Sequence, residues 1–128
     1  MLKDSATFSG YSVNDIETAK KFYEETLGLN VEQNEMGLEL KLKDQSIFIY
    51  EKADHQPASF TVLNFITEDI DTKIDELVEA GITFERYTNL PAQQDERGVL
   101  RGLAAKMGPD IAWFKDPAGN ILGLLQTS

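Results

Sequence analysis

A short opening, Val13-Asn14-Asp15-Ile16-Glu17-Thr18, is answered 54 residues later by Thr67-Glu68-Asp69-Ile70-Asp71-Thr72. Each copy follows a strand-like run and leads into an amphipathic helix that ends at a glycine, Gly28 in the first case and Gly81 in the second. A unit used twice implies two half-domains related by a pseudo-twofold axis, with a cleft where they meet. No other feature restricts the possible folds so strongly.

The pattern within each copy is explicit. Ala6 to Val13 reads as a strand, after which Ile16, Ala19, Phe22, Tyr23 and Leu27 fall on one helical stripe. Asn14 or Asp15 can cap that helix, and Gly28 supplies the left-handed residue that stops it. Leu29 to Glu35, Leu38 to Leu42 and Ile47 to Glu51 read as three further strands. Ala53 to Ala58, containing Pro57, is a polar linker. In the second copy Phe60 to Ile66 is the strand, and Ile70, Ile74, Leu77 and Val78 stripe the helix. Ile82 to Tyr87 reads as the next strand, and Ile111 to Lys115 with Ile121 to Gln126 form a hairpin across Asp116-Pro117-Ala118-Gly119-Asn120. The long irregular stretch from Asn89 to Asp110 carries Gln93, Gln94, Arg97 and Arg101 and either forms a flap over a cleft or lies solvated as a loop. The expected organisation is a single α+β domain of two βαβββ modules, residues 6–52 and 59–127, joined by residues 53–58.

Charge and composition narrow the function. Twenty-two acidic against twelve basic residues give a net charge of -10, which repels nucleic-acid backbones and anionic lipid heads. With no cysteine, thiolate metal sites and thiol nucleophiles are excluded. The start of the chain lacks the apolar run of a signal peptide and no segment reaches transmembrane length, so a cytoplasmic address is expected. His55, the one histidine, falls in the linker beside Asp54 and reads as a solvated loop residue.

The string Val-x-Asp-Ile-Glu-x-Ala-x-x-Phe-Tyr-x-x-x-Leu-Gly-Leu at residues 13–29 resembles the opening helix of the vicinal oxygen chelate superfamily. That group holds glyoxalase I, extradiol dioxygenases, fosfomycin-resistance enzymes and bleomycin-binding proteins. Asp69-Ile70-Asp71 through Ala80-Gly81 resembles the matching second helix, and Asp116-Pro117-x-Gly119-Asn120 the closing hairpin. The resemblance implies eight strands in a curled mixed sheet around a central cleft. Metal-using members place His, Glu or Gln on the first and last strands of each module. The corresponding positions here are Phe8, Val62 and Gly123, with Ile49 the best match on the first module's last strand and Glu51 two residues beyond it. Phenylalanine, valine and glycine offer no donor to a divalent ion, so the expected cofactor is none.

What remains is a pocket built from strand faces. Phe8, Gly10 and Ser12 share a face of the first strand, and Ile49, Glu51, Val62, Asn64, Trp113 and Gly123 join them if the family register holds. These residues either line a small-molecule site or simply fill the core. Two functions follow. One is a metal-free protein that sequesters a small organic molecule, as homodimeric bleomycin-resistance proteins do, with an acidic groove suited to a cationic drug. The other is a metal-independent isomerase or lyase acting on a small carbonyl compound, with Glu51 as base and Ser12, Asn64 or a flap arginine polarising the oxyanion.

Overall fold

The computed structural model describes residues 1–128. The chain separates into two compact units, Met1–Gln56 and Pro57–Ser128. Each is α+β and holds its own mixed four-stranded sheet.

In the first unit, strand β1 (Ser9–Val13) leads into helix α1 (Ile16–Lys21), followed by β2 (Asn30–Asn34), β3 (Gly37–Lys41) and β4 (Ser46–Glu51). The strand order is β1-β4-β3-β2, with β1 and β4 parallel and the other pairs antiparallel. The helix begins where expected. Asp15 is extended and accepts hydrogen bonds from the Glu17 and Thr18 amides, satisfying two of the donors every helix start leaves open. Its last turn widens into a π-type turn over Phe22–Thr26, in which the Leu27 amide reaches back to the Phe22 carbonyl. Gly28, at φ 69°, then ends the helix. The stripe Ala19, Phe22 and Tyr23 is buried with Tyr11 and Val13 of β1, Leu38 and Leu40 of β3, and Ile47 and Ile49 of β4. Tyr11 and Tyr23 join hydroxyls at 2.7 Å within that core.

In the second unit, β5 (Thr61–Ile66), helix α2 (Ile70–Glu79), β6 (Leu100–Arg101), the short helix α3 (Gly102–Ala105), β7 (Asp110–Lys115) and β8 (Ile121–Gln126) follow in order. The sheet order β5-β8-β7-β6 repeats that of the first unit. Asp69 caps α2 through the Thr72 amide and hydroxyl. Ile70 and Ile74 are buried with Val99, Ala112 and Leu124, flanked by Phe65, Leu77 and Phe84. Val78, read as part of the stripe, is instead about half exposed (53%). The β7–β8 turn is tied by Asp116, whose carboxylate accepts from the Ala118 and Asn120 amides and from the Asn120 side chain.

One expected strand is missing. Residues 82–87 have no regular strand structure, although Glu85 donates to the Trp113 carbonyl. The place at the sheet edge belongs to β6, a two-residue strand paired as Leu100 with Ile111 and Arg101 with Asp110. The cause is Gln94. Its buried amide accepts from the Tyr87 amide at 2.8 Å and donates to the Glu85 and Gly98 carbonyls at 3.0 and 2.6 Å. A side chain thus satisfies the backbone groups that a strand partner would have taken.

Candidate functional site

Register decides which side chains share a face, because a shift of one residue moves a side chain to the opposite side. On β1 and β4 the parallel pairs are Gly10 with Phe48, Tyr11 with Ile49, Ser12 with Tyr50 and Val13 with Glu51. Tyr11, Val13 and Ile49 lie in the helix-covered core, and Ile49 is fully buried. Gly10, Ser12, Phe48 and Tyr50 occupy the other, open face. Phe8 joins them by packing edge-on against Phe48 at 6.4 Å, and Phe48 stacks on Tyr50 at 5.9 Å. Ile49 and Glu51 are therefore corrected: they stand on the opposite side of the sheet from Phe8, Gly10 and Ser12.

Glu51 has a definite task on that side. Its Oε1 accepts a hydrogen bond from the Ile16 amide at 2.8 Å, one of the open donors at the start of α1. Gln126 does the same for Ile70 in the second unit, at 2.9 Å. The two last strands thus correspond as Glu51 to Gln126, and by the same count Phe48, not Ile49, corresponds to Gly123. A base committed to a helix amide on the covered face does not serve a reaction on the open one. Because Gln126 performs the same job without charge, Glu51→Gln is expected to change stability by only a few tenths of a kcal/mol, and Glu51→Ala to cost about 1 kcal/mol. Urea titration of the two variants reads the difference, and equal losses would show that the hydrogen bond is not what Glu51 contributes.

Ser12, half-buried, shares a 2.7 Å hydrogen bond with His55 Nδ1. The histidine is thus half-buried against β1 and is not a solvated loop residue. On the same open face Phe8 and Phe48 line, with Met36, Glu39 and Ser46, a hollow of about 250 Å³.

In the second unit Asn64 pairs with Gly123 and Trp113 with Gly123, so these three share the open face of β5, β8 and β7. Val62 sits where the β5–β8 register shifts, in an irregularity between Thr61 and Leu63. The room left by Gly123 is taken by Asn64: a Cβ at position 123 would run into the Asn64 Oδ1. Trp113 lies at the wall of a pocket of about 440 Å³, lined also by Phe60, Tyr87, Asn89, Leu90 and Ile121. Tyr87 stands edge-on to Trp113, ring centroids 5.5 Å apart. Its hydroxyl is shut off from solvent and has no hydrogen-bond partner. Burial, with Glu85 nearby, pushes that phenol's pKa up, so it stays protonated. Of the sequence-derived candidates only Trp113 borders this pocket. Phe60, Tyr87 and Leu90 come from loops or strand edges, where alternation carries no signal.

The flap arginines are already engaged. Arg101 makes a two-pronged contact with Asp71 at 2.8 and 3.1 Å and donates through Nε to Asp95 at 2.9 Å. Arg97 pairs with Asp71 and Asp75. They fasten the 95–101 segment to α2 and are not disposed to polarise a substrate.

No group of three or more His, Cys, Asp or Glu is arranged to hold a metal ion. The open-face residues Phe8, Phe48 and Gly123, and Val62 at the β5 irregularity, do not fit one, having no donor atoms in their side chains.

The fold agrees with the comparisons. Residues 7–124 match the model of the Glyoxalase/Bleomycin resistance protein/Dioxygenase superfamily, and the chain belongs to that family. No functionally curated protein matches the sequence. Among solved structures, the antibiotic-binding protein TnmS3 from Streptomyces sp. CB03234 is 27% identical at a TM-score of 0.67, with 100% of this chain and 99% of that one covered. A glyoxalase/bleomycin resistance protein from the same organism is 28% identical at a TM-score of 0.61, covering 95% of this chain and 100% of its own. A glyoxalase-family protein from Bacillus anthracis, 21% identical over the full length of both chains at a TM-score of 0.69, shares the fold. No helix is long and apolar enough to cross a membrane.

Proposed function

We propose that this protein binds a small organic molecule without a divalent metal, in the pocket beside Trp113. The observation that carries the reading is an aromatic wall, Trp113 with Tyr87 and Phe60, around about 440 Å³ of open space, a size suited to a compact organic ligand. The similarity to an antibiotic-binding protein at 27% identity supports it. The proposal includes a homodimer, to be read by sedimentation, and a cytoplasmic address.

Trp113 is the only tryptophan, so its emission reports on this pocket alone. A panel of antibiotics titrated into the protein should include at least one that changes the emission saturably and raises the melting temperature. Trp113→Ala should weaken that ligand at least about tenfold, the loss of one large buried aromatic contact. Zn²⁺, Ni²⁺, Mn²⁺ and Fe²⁺ added to metal-stripped protein should leave the melting temperature unchanged. Stabilisation by one of them at stoichiometric loading would overturn the metal-free reading, and silence across the organic panel would count against the pocket.

A further inference from the structure

We infer that the hollow on the open face of the first unit, bordered by Phe8, Phe48 and Glu39, binds the methylated ammonium group of a small organic cation. This is a second site: it is built from first-unit residues alone and shares none with the Trp113 pocket.

Register puts the three groups on one face. Gly10 on β1 and Glu39 on β3 are the cross-strand neighbours of Phe48, so the Glu39 side chain projects to the same side of the sheet as the Phe48 ring. Gly37, two residues before Glu39, shares that face. The ring is thus flanked by two glycines that have no side chain to cover it. Its tip takes the space a side chain at Gly37 would need, since a Cβ there would come to 3.2 Å from the Phe48 Cζ. Phe8 stands edge-on to Phe48 at 6.4 Å and is 75% exposed, and Met36 is 77% exposed. Two aromatic rings, a thioether and a carboxylate therefore border about 250 Å³ of open space.

Charge selects the ligand. Lys41 is the one cation within reach of Glu39, at 3.8 Å, and it lies closer to Glu32, at 3.0 Å. Its pKa is raised chiefly by the hydrogen bond to Glu32. One ammonium thus serves two carboxylates, and the trio stays net negative with Glu39 the looser member. An anion is repelled here, and a neutral apolar molecule gains only burial. A cation gains the carboxylate and the electron-rich ring faces together. A methylated nitrogen fits better than a primary ammonium. It gives up little hydration against Phe8, Phe48 and Met36, whereas a primary ammonium needs hydrogen-bond acceptors that only Glu39 and Ser46 bring to this lining.

The test compares choline with 3,3-dimethyl-1-butanol, which has the same shape without the charge, by their effect on backbone amide chemical shifts. Choline should move the Gly10, Gly37 and Phe48 amides saturably, with a Kd on the order of 1 mM, and the alcohol should bind at least about fivefold more weakly. Glu39→Gln should weaken choline about three- to fivefold and leave the alcohol unchanged. Phe8→Leu, at an exposed position, should lower the preference for choline while the melting temperature stays that of the wild type. Trp113→Ala should leave choline binding as it is. Equal affinity for the two probes, or choline binding indifferent to Glu39→Gln, overturns the inference. Choline binding abolished by Trp113→Ala would place the cation in the other pocket and overturn it too. If neither probe moves these amides the site fails, and a shift from dimer to monomer in Phe8→Leu would then identify a second copy of the chain as what covers this face. The response of Trp113 emission to antibiotics stands or falls separately from all of these outcomes.

Discussion

Gln94→Ala is expected to be among the most damaging single changes outside the apolar core, costing about 3 kcal/mol or more. The side chain is buried and makes three hydrogen bonds, to the Tyr87 amide, the Glu85 carbonyl and the Gly98 carbonyl. Alanine removes all three and leaves backbone groups that have been withdrawn from water. Each lost bond costs about 1 kcal/mol, with more where the abandoned group stays buried. Function should suffer with stability, because the segment that Gln94 holds carries Arg86 and Tyr87 into the Trp113 pocket. Gln94→Glu keeps the length but exchanges two donors for a carboxylate facing two carbonyls, so it should be at least as damaging near neutral pH. Urea titration gives the stability, and hydrogen exchange at the Tyr87 amide gives the local effect. A loss below about half a kcal/mol, or a Tyr87 amide as protected as in the wild type, would show that the segment is held by something else.

Gln94 also explains where the sequence misleads. Residues 82–87 have the composition of a strand, with Ile82, Thr83, Phe84 and Tyr87, and the spacing of the repeat calls for one there. Nothing in that composition reveals that an amide seven residues beyond Tyr87 will take over its backbone bonding. β6 is equally hidden, since two residues are too few for any alternation to register. The helices were legible because their signals are local. Asp15 and Asp69 lie one residue before the first turn, Gly28 and Gly81 just past the last, and the buried residues between them keep helical spacing.

The candidate site was legible in part, for an equally physical reason. Alternation on β1 places Gly10 and Ser12 together without ambiguity, and the 54-residue repeat carries that to Asn64. On the last strands the two copies differ by a turn of uncertain length, and a slip of one residue substitutes Ile49 for Phe48. The slip exchanges a core side chain for an open-face one. What corrects it is the shared role of Glu51 and Gln126 at the helix starts, a relation between distant residues that no spacing rule discloses. The pocket walls supplied by Phe60, Tyr87 and Leu90 depend on loop paths and were not accessible to pattern reading at all.

Arg101→Met is the second change expected to be severe, and its effect should depend on pH. Methionine keeps the apolar stem and removes the charge. Asp71 loses its two-pronged partner, while Asp95 and the largely buried Asp110 lose a cation at 2.9 and 3.6 Å. A fully buried pair broken in this way costs about 3–5 kcal/mol; with the guanidinium about one-third exposed (35%), solvent screening brings the expectation to about 2 kcal/mol near neutral pH. Arg101 holds the Asp71 carboxyl below its ordinary value of 3.8. Burial pushes Asp95 up, but the Val99 amide, Arg101 and the Arg97 amide outweigh it, and the net direction is again downward. A carboxyl with a depressed folded pKa contributes its stability above the unfolded value and loses it as pH falls through the folded one. The gap between wild type and Arg101→Met should therefore be full near pH 7 and shrink below the ordinary value of 3.8. Guanidinium titrations at about pH 7 and about pH 3 measure it. A gap that stays constant between them would mean that Arg101 acts through the packing of its stem, and that the charges around it set neither the stability nor the acid limb.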